Sequence, residues 1–382
     1  MNILVLNYEY PPIGGGGGII CKNISEHLSK LGHKITVLTV WFEGLPEFST
    51  ENNMKIIRLK SIRKTTYRSN PLEMLSWISY AKKYALNLCK KEHFDLSFAH
   101  FIIPGGEVGM YLKNKLGLKY IAMSHGHDVP WVKPMQLYFY HTISYLRLRK
   151  ICNNAEALFV QSEEMQKNMN SFLGNKGLKN IYKIPNGINP TEIELNKEMY
   201  FQNLTIIFSG RLVAQKSPFT LLKALLLIKD NIKFKAYIVG NGPLFNKMRH
   251  FIEVNNLGEN AYLMGNVAHK EVLKLYSQSN IMVSSSVSEG MSISVIEALA
   301  SGCYVFATPA SGNKELITEN ANGNIFNFNN SQQLAGLIED FYENKYLHKW
   351  SVNEGKRKEF CLKYDWQHIT EKHNEVIKDI VL

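Results

Sequence analysis

Several features that would define a function class at once are missing from this chain. Its five cysteines (Cys21, Cys89, Cys152, Cys303 and Cys361) are odd in number, scattered, and never spaced as Cys-x-x-Cys. That argues against a zinc ribbon or a disulfide framework and for a reducing compartment. No apolar run approaches the roughly 18–20 residues needed to span a bilayer. The opening MNILVLNYEYPP lacks the charged start and small-residue cleavage site of a signal peptide and reads as a first strand, so a cytoplasmic location is expected. Asp-x-Asp, a common carboxylate pair for a divalent cation on a diphosphate, does not occur. Internal repeats with a period of roughly 20–50 residues are also absent.

What is present is a chain of 382 residues, 45% apolar and 20% charged. That length suits two domains of about 150–200 residues, each able to bury a core without staples. The charge is uneven. Residues 1–190 hold 24 Lys+Arg against 13 Asp+Glu, whereas residues 191–382 hold 20 of each, so the whole excess of +11 lies in the first half. A basic face draws anions such as nucleic acid, phosphorylated acceptors or an anionic leaflet, although a merely soluble basic surface needs no partner.

Short β-rich runs alternate with helical patterns. ILVLNY (3–8) precedes PPIGGGGG and a helix with Ile19, Ile20, Ile24 and Leu28 at helical spacing; ITVLTV (35–40) follows. Further strands fit 96–100, 120–125, 158–162 and 181–186. A second cycle starts at LTIIFSG (204–210), with strands at 236–240, 261–265, 281–286 and 304–308. Helices are predicted at 218–229, 243–255, 269–278 and 292–301. Both halves therefore read as α/β domains of Rossmann style, joined near IPNGINP (184–190), where Asn-Gly and Asn-Pro favour turns.

Four segments carry candidate chemistry. Gly14–Gly18, between a strand and a helix, leave N–H groups free to approach an anion, but a flexible turn explains them nearly as well. In SGRLVAQKSP (209–218), Arg211 and Lys216 flank the end of a strand and the start of a helix, where two cations can clamp a diphosphate; solvated surface cations are the alternative. SEGMSISVIEALASG (288–302) is the sharpest signal. Glu289 lies in a loop, Gly290, Met291 and Ser292 open the next helix, and Glu297 sits among apolar neighbours, where its carboxylate needs hydrogen-bond partners such as a ribose diol. A helix-face glutamate paired with a cation is the bland reading. Finally, SHGHDVP places His125, His127 and Asp128 after a strand, a spacing too tight for a helix-face metal pair and better suited to a sugar- or phosphate-contacting histidine or a structural turn.

In this order, PPIGGGGG, HGHD, IPNGIN, GRLVAQK, VGNGP, GNVAHKEV and EGMSISVIEALASG give the chain a resemblance to the GT-B glycosyltransferases of family 4 over nearly its whole length. Glu289 and Glu297 stand as that family's Glu-x7-Glu pair, and YDWQHITEKHNEVI looks like its closing helix. Where the family often has EGFGL, this chain has EGMSI, so contacts to the donor sugar differ in detail. The resemblance implies two Rossmann-like, doubly wound domains facing each other across a cleft. Residues 1–187, completed by 366–382, would bind the acceptor, and residues 188–365 the nucleotide-sugar donor. It also implies roles. Arg211 and Lys216 would hold the diphosphate, Glu297 the ribose hydroxyls and Glu289 the hydroxyls of the transferred sugar. The Gly290–Ser292 backbone and the loop of Gly15, Gly16 and Gly17 would complete the phosphate cradle. His125 would touch the sugar, and Asn266 and Val267 the nucleobase. The implied enzyme is a retaining glycosyltransferase that needs no metal or other cofactor. It would move a hexose-type sugar from UDP, or next GDP, to a glycan or lipid-linked acceptor in polysaccharide or glycolipid synthesis. KSIRKTTYR (60–68) and KPMQLYFYHTISYLRLRK (133–150) mix cations with aromatic and apolar residues; the second suits peripheral docking on an anionic membrane, and an ordinary core helix with a basic rim fits it equally.

Other classes fit less of the chain. A Rossmann oxidoreductase needs an acidic residue at the end of the second strand, where Val40-Trp41-Phe42 stand. A nucleotide-sugar epimerase or a phosphorylase on the same fold is closer, and an epimerase would process the donor without an acceptor. A nucleic-acid binder leaves Glu289 and Glu297 unused, so nucleic acid is not an expected partner.

Overall fold

The computed structural model describes residues 1–66, 69–126, 128, 138–174, 180–194, 204–344 and 353–382, without the side chains of 138–141. Outside it lie His127, Tyr67 and Arg68 of the first basic stretch, and residues 133–137 of the second. The chain divides into two compact units: Met1–Asn186 with Trp366–Leu382, and Gly187–Asp365, one residue before the expected boundary.

The first unit is built on eight strands: β1 (Asn2–Leu6), β2 (Lys34–Val40), β3 (Phe48–Glu51), β4 (Met54–Leu59), β5 (Leu96–His100), β6 (Tyr120–Met123), β7 (Ala157–Val160) and β8 (Ile181–Lys183). Their order is β3-β4-β2-β1-β5-β6-β7-β8, parallel throughout except for the antiparallel hairpin β3–β4 at the edge. The inner strands are buried along nearly their full length, as expected of a sheet covered by helices on both faces. The hairpin was not foreseen from the sequence. Its turn residues Asn52 and Asn53 both have positive φ (48° and 63°), the conformation that a two-residue hairpin turn demands and that asparagine tolerates.

The second unit holds six strands: β9 (Leu204–Ser209), β10 (Phe234–Val239), β11 (Ala261–Gly265), β12 (Ile281–Ser284), β13 (Tyr304–Ala307) and β14 (Gly323–Ile325). All are parallel, in the order β11-β10-β9-β12-β13-β14. Numbered within the unit this is 3-2-1-4-5-6, the Rossmann order. Each unit thus reverses its strand order once, between β1 and β5 and between β9 and β12. Ligands in open α/β sheets bind outside the carboxyl ends of the strands at that point.

Local sequence explains the helices that frame the sheets. Helix Pro71–Lys91 starts with a full capping box, Asn70 and Glu73 exchanging hydrogen bonds with each other's backbone, and with Pro71 in its first turn. The C-terminal helix Trp366–Val381 buries Trp366, Ile369, Thr370, His373, Val376 and Ile377, a stripe at helical spacing. It packs on helix Gly16–Lys30 of the first unit, where His33 Nε2 meets Asn374 Oδ1 at 2.8 Å. No helix among the described residues is long and apolar enough to cross a membrane.

Candidate functional site

In the second unit the loops after β9 and β12 meet because those strands are neighbours. Val287 N–H donates to the Gln215 carbonyl at 2.8 Å, and Gln215 Nε2 donates to the Ser288 carbonyl at 2.9 Å. Ser285 Oγ donates to the carbonyls of Lys216 and Ser217, at 3.0 and 2.8 Å. Across this lacing Lys216 Nζ pairs with Glu289 Oε1, their side chains only 16% and 13% exposed. Arg211 is exposed on the same loop as Lys216. The backbone is tight here: a Cβ on Gly240 would lie 1.9 Å from the Gly210 carbonyl oxygen, so the β9 and β10 ends approach in a way only glycine allows.

Gly290, Met291 and Ser292 lead into helix Ile293–Ala300, as the sequence suggests. Ser292 is the N-cap, but its hydroxyl is spent on Ser294 Oγ at 2.9 Å and caps no backbone N–H. The first amides of this helix are therefore free of a side-chain cap and can meet an anion. Glu297, one turn deeper and nearly buried, is held by a residue that sequence reasoning passed over: His269 Nε2 lies 2.7 Å from Glu297 Oε1. That bond raises the His269 pKa above its usual value. The exposed Asn266 and half-buried Val267 follow β11 and lead into the helix that His269 begins.

The first unit brings its own residues to the β1/β5 switch point. Gly15 N–H donates to Glu9 Oε2 at 3.0 Å, and Gly14 N–H donates to the Thr66 carbonyl at 2.7 Å. Among the described residues the N–H groups of Gly16 and Gly17 have no protein acceptor; of the three glycines assigned to a cradle, Gly15 is thus already engaged. Beside Gly17 stands Phe101, held at φ 66° just past β5. A Cβ on Gly17 would come within 2.5 Å of its ring, so glycine lets the two pack. Left-handed backbone is costly for an aromatic residue and marks a locally enforced geometry.

His125 is sandwiched between the rings of Phe101 and His100, at centroid distances of 4.5 and 5.3 Å. Its Nε2 meets His100 Nδ1 at 3.1 Å, and its Nδ1 is buried with no partner among the described residues. Burial pushes its pKa down to about 4, so it is a neutral imidazole near pH 7. Behind it, buried His100 and His373 are also held below their ordinary values, chiefly by desolvation. Asp128 organises the turn: its oxygens accept from Ile102 N–H at 2.7 Å, Ser124 Oγ at 2.7 Å and His125 N–H at 3.0 Å. That is the structural-turn alternative for Asp128. Among the described residues no group of three or more His, Cys, Asp or Glu is placed to hold a metal ion.

Two family models match the chain in succession: Glycosyltransferase Family 4 over residues 14–192 and Glycosyl transferases group 1 over residues 194–359. The chain is a family 4-type glycosyltransferase with the GT-B fold. This glycosyltransferase is 28% identical over 369 residues to an uncharacterized glycosyltransferase, MJ1178, of Methanocaldococcus jannaschii, covering 96% of this chain and 95% of that one. It is 24% identical over 355 residues, 91% of each chain, to a Campylobacter jejuni α-1,4-N-acetyl-D-galactosaminyltransferase whose named acceptor is a PP-undecaprenol-linked saccharide. Among solved structures, sucrose-phosphate synthase of Thermosynechococcus elongatus superposes with a TM-score of 0.87 at 17% identity, covering 99% of this chain and 98% of that one. HepE of Anabaena, solved with UDP-glucose, gives 0.76 at 18% identity, covering 99% of this chain and all of that one. The Glu-x7-Glu pair of this transferase thus stands with each carboxylate already paired to a base, Glu289 to Lys216 and Glu297 to His269.

Proposed function

We propose that this glycosyltransferase moves a hexose-type sugar, with retention of anomeric configuration and without a metal, from UDP (GDP as the next choice) to a lipid-linked or glycan acceptor. The observation that carries the reading is the meeting of Lys216, Glu289 and an uncapped helix N-terminus at the β9/β12 switch point. Fixed cations and helix amides can neutralise charge as it grows on a leaving diphosphate. Lys216, Arg211 and the amides at Gly290–Ser292 hold the phosphates. Glu297 takes the ribose hydroxyls, Glu289 those of the sugar, and the backbone at Asn266–Val267 the base. In the step itself the bond from the anomeric carbon to the phosphate oxygen breaks on the face where the acceptor oxygen attaches. The acceptor proton passes to the leaving phosphate, and the nucleoside diphosphate departs.

Support for a nucleoside-diphosphate donor also comes from the fold neighbour solved with UDP-glucose, and support for a lipid-linked acceptor from the undecaprenol named for the Campylobacter relative. The basic first unit adds support for docking on a membrane surface. On helix Tyr138–Asn154, Ile143 and Leu146 are 71% and 78% exposed, one turn apart, with exposed Lys150 beside them and Arg147 already paired with Glu107. Such a surface suits peripheral docking on anionic lipid at the inner face of a membrane.

The test is incubation with UDP-glucose, UDP-N-acetylglucosamine and GDP-mannose plus undecaprenyl-diphosphate-linked acceptors, in EDTA, with the product's anomeric linkage read by NMR. An α-linked product from an α-linked donor in EDTA is expected. An inverted linkage, or turnover only with added divalent cation, overturns the corresponding part of the proposal.

A further inference from the structure

Glu297 poses a problem that its own helix does not solve. It projects from Ile293–Ala300, flanked by buried Val295, Ile296, Ala298, Leu299 and Ala300, so its carboxylate has little water to satisfy it. Its Oε1 meets His269 Nε2 at 2.7 Å, and its Oε2 makes no hydrogen bond among the described residues. A glutamate side chain has three rotatable bonds, and recognition of a ribose diol asks that its carboxylate be held in one orientation with an oxygen left over.

His269 is built to do this. It is the first residue of helix His269–Ser277, immediately after the Asn266–Ala268 loop at the carboxyl end of β11. Its side chain is 58% exposed and leans on two carboxylates: Glu297 through Nε2, and Glu192 Oε2 at 3.8 Å from Nδ1. Glu192 is itself fixed in the Pro190–Glu192 turn, accepting from Asn189 Nδ2 at 3.0 Å. The imidazole thus bridges three separate segments of the second unit and stands beside the carboxylate assigned to the ribose.

We propose that His269 is the positioning residue for ribose recognition: it clamps Glu297 Oε1 so that Oε2 faces the sugar's vicinal hydroxyls, and so makes the site select ribonucleotides over deoxyribonucleotides. The inference rests on the reading of the second unit as a nucleoside-diphosphate site. The clamp acts on the carboxylate and leaves the phosphate contacts of Lys216 and Arg211 untouched.

Isothermal titration of the full chain with UDP, GDP and their 2′-deoxy counterparts tests it. The wild type should bind one ribonucleotide about tenfold or more tighter than its deoxy form, as loss of one hydrogen bond to a charged group implies. His269→Ala should shrink that preference to within about twofold, while affinity for the deoxy form stays within about twofold of wild type. His269→Gln, which restores a donor toward Glu297, should recover most of the preference. A merely structural histidine would lower affinity for both nucleotides alike and leave the ratio unchanged. An undiminished ratio in His269→Ala overturns the clamp. Should that variant not fold, a ratio in His269→Gln as low as that of Glu297→Ala does the same. If the wild type binds neither UDP nor GDP, the functional reading fails, and the clamp with it.

Discussion

The pairing of Lys216 with Glu289 cancels those two charges in the proposed donor site before any nucleotide arrives, and this has a measurable consequence. A diphosphate that recruits Lys216 must share it with a carboxylate that repels the incoming charge. Glu289→Gln keeps the side chain's size and removes that charge. A unit charge about 5 Å from a phosphate, at an effective dielectric of about 20, is worth ~3 kcal/mol. With more than a tenth of both side chains reached by water, about 1–2 kcal/mol is the realistic share. UDP should therefore bind Glu289→Gln about 5–30-fold more tightly than wild type. Lys216→Met should weaken UDP by a similar factor, and both variants should transfer sugar at least about 100-fold more slowly because the transition state loses a contact it needs. Isothermal titration with UDP and GDP, repeated at two salt concentrations, separates the cases, with thermal melts confirming that each variant is folded. If Glu289→Gln weakens UDP as much as Lys216→Met does, the pair is not a competitor for the phosphate and the reasoning is wrong.

Other consequences are more local. Arg211→Ala and Glu289→Ala should each cut turnover strongly while circular dichroism and melting stay near wild type; near-normal activity in both would remove these residues from the site. Gly17→Ala places a methyl group 2.5 Å from the Phe101 ring and should cost about 1–3 kcal/mol in denaturant unfolding, whereas Gly16→Ala, which meets nothing within 4 Å, should be neutral or slightly stabilising. His373, buried with its pKa pushed down to about 4, binds fewer protons when folded than the roughly 6.5 of an unfolded histidine implies. Its contribution is therefore complete above about pH 6.5 and is lost as pH falls toward 4. Lowering the pH to 5 should cost about 2 kcal/mol from this residue alone, and His373→Gln should flatten that part of the stability curve. Ile143→Glu with Leu146→Glu should reduce co-sedimentation with anionic vesicles but not nucleotide binding; equal sedimentation of the variant would remove this helix from the docking surface.

Much of the fold was legible because the inner strands announce themselves. Runs such as ITVLTV and LTIIFSG are β-branched, short, and bounded by glycine or helix signals, and the structure places strands at 34–40 and 204–209. The β3–β4 hairpin escaped because its strands mix Glu51 and Lys55 with apolar residues and its turn is Asn-Asn, not Asn-Gly. β14 is three residues long, too short to leave a periodic signal. In the site, residue types were readable and partnerships were not. Lys216 and Glu289 are 73 positions apart, and only the adjacency of β9 and β12 brings their loops together. His269 carries no signal of its own in the sequence; the packing of its helix against Ile293–Ala300 puts it on Glu297. Phe101 carried no motif; its left-handed backbone and its place against Gly17 and His125 exist only in three dimensions.

The most direct test of the central claim, a metal-free nucleoside-diphosphate site in this glycosyltransferase, is a thermal-shift comparison of UDP, GDP, ADP and NAD with and without EDTA. Ligand that binds only the folded chain must raise the melting temperature. The account predicts a rise with UDP, or failing that GDP, that EDTA leaves unchanged. A rise with NAD alone, or a nucleotide shift that EDTA abolishes, would contradict it.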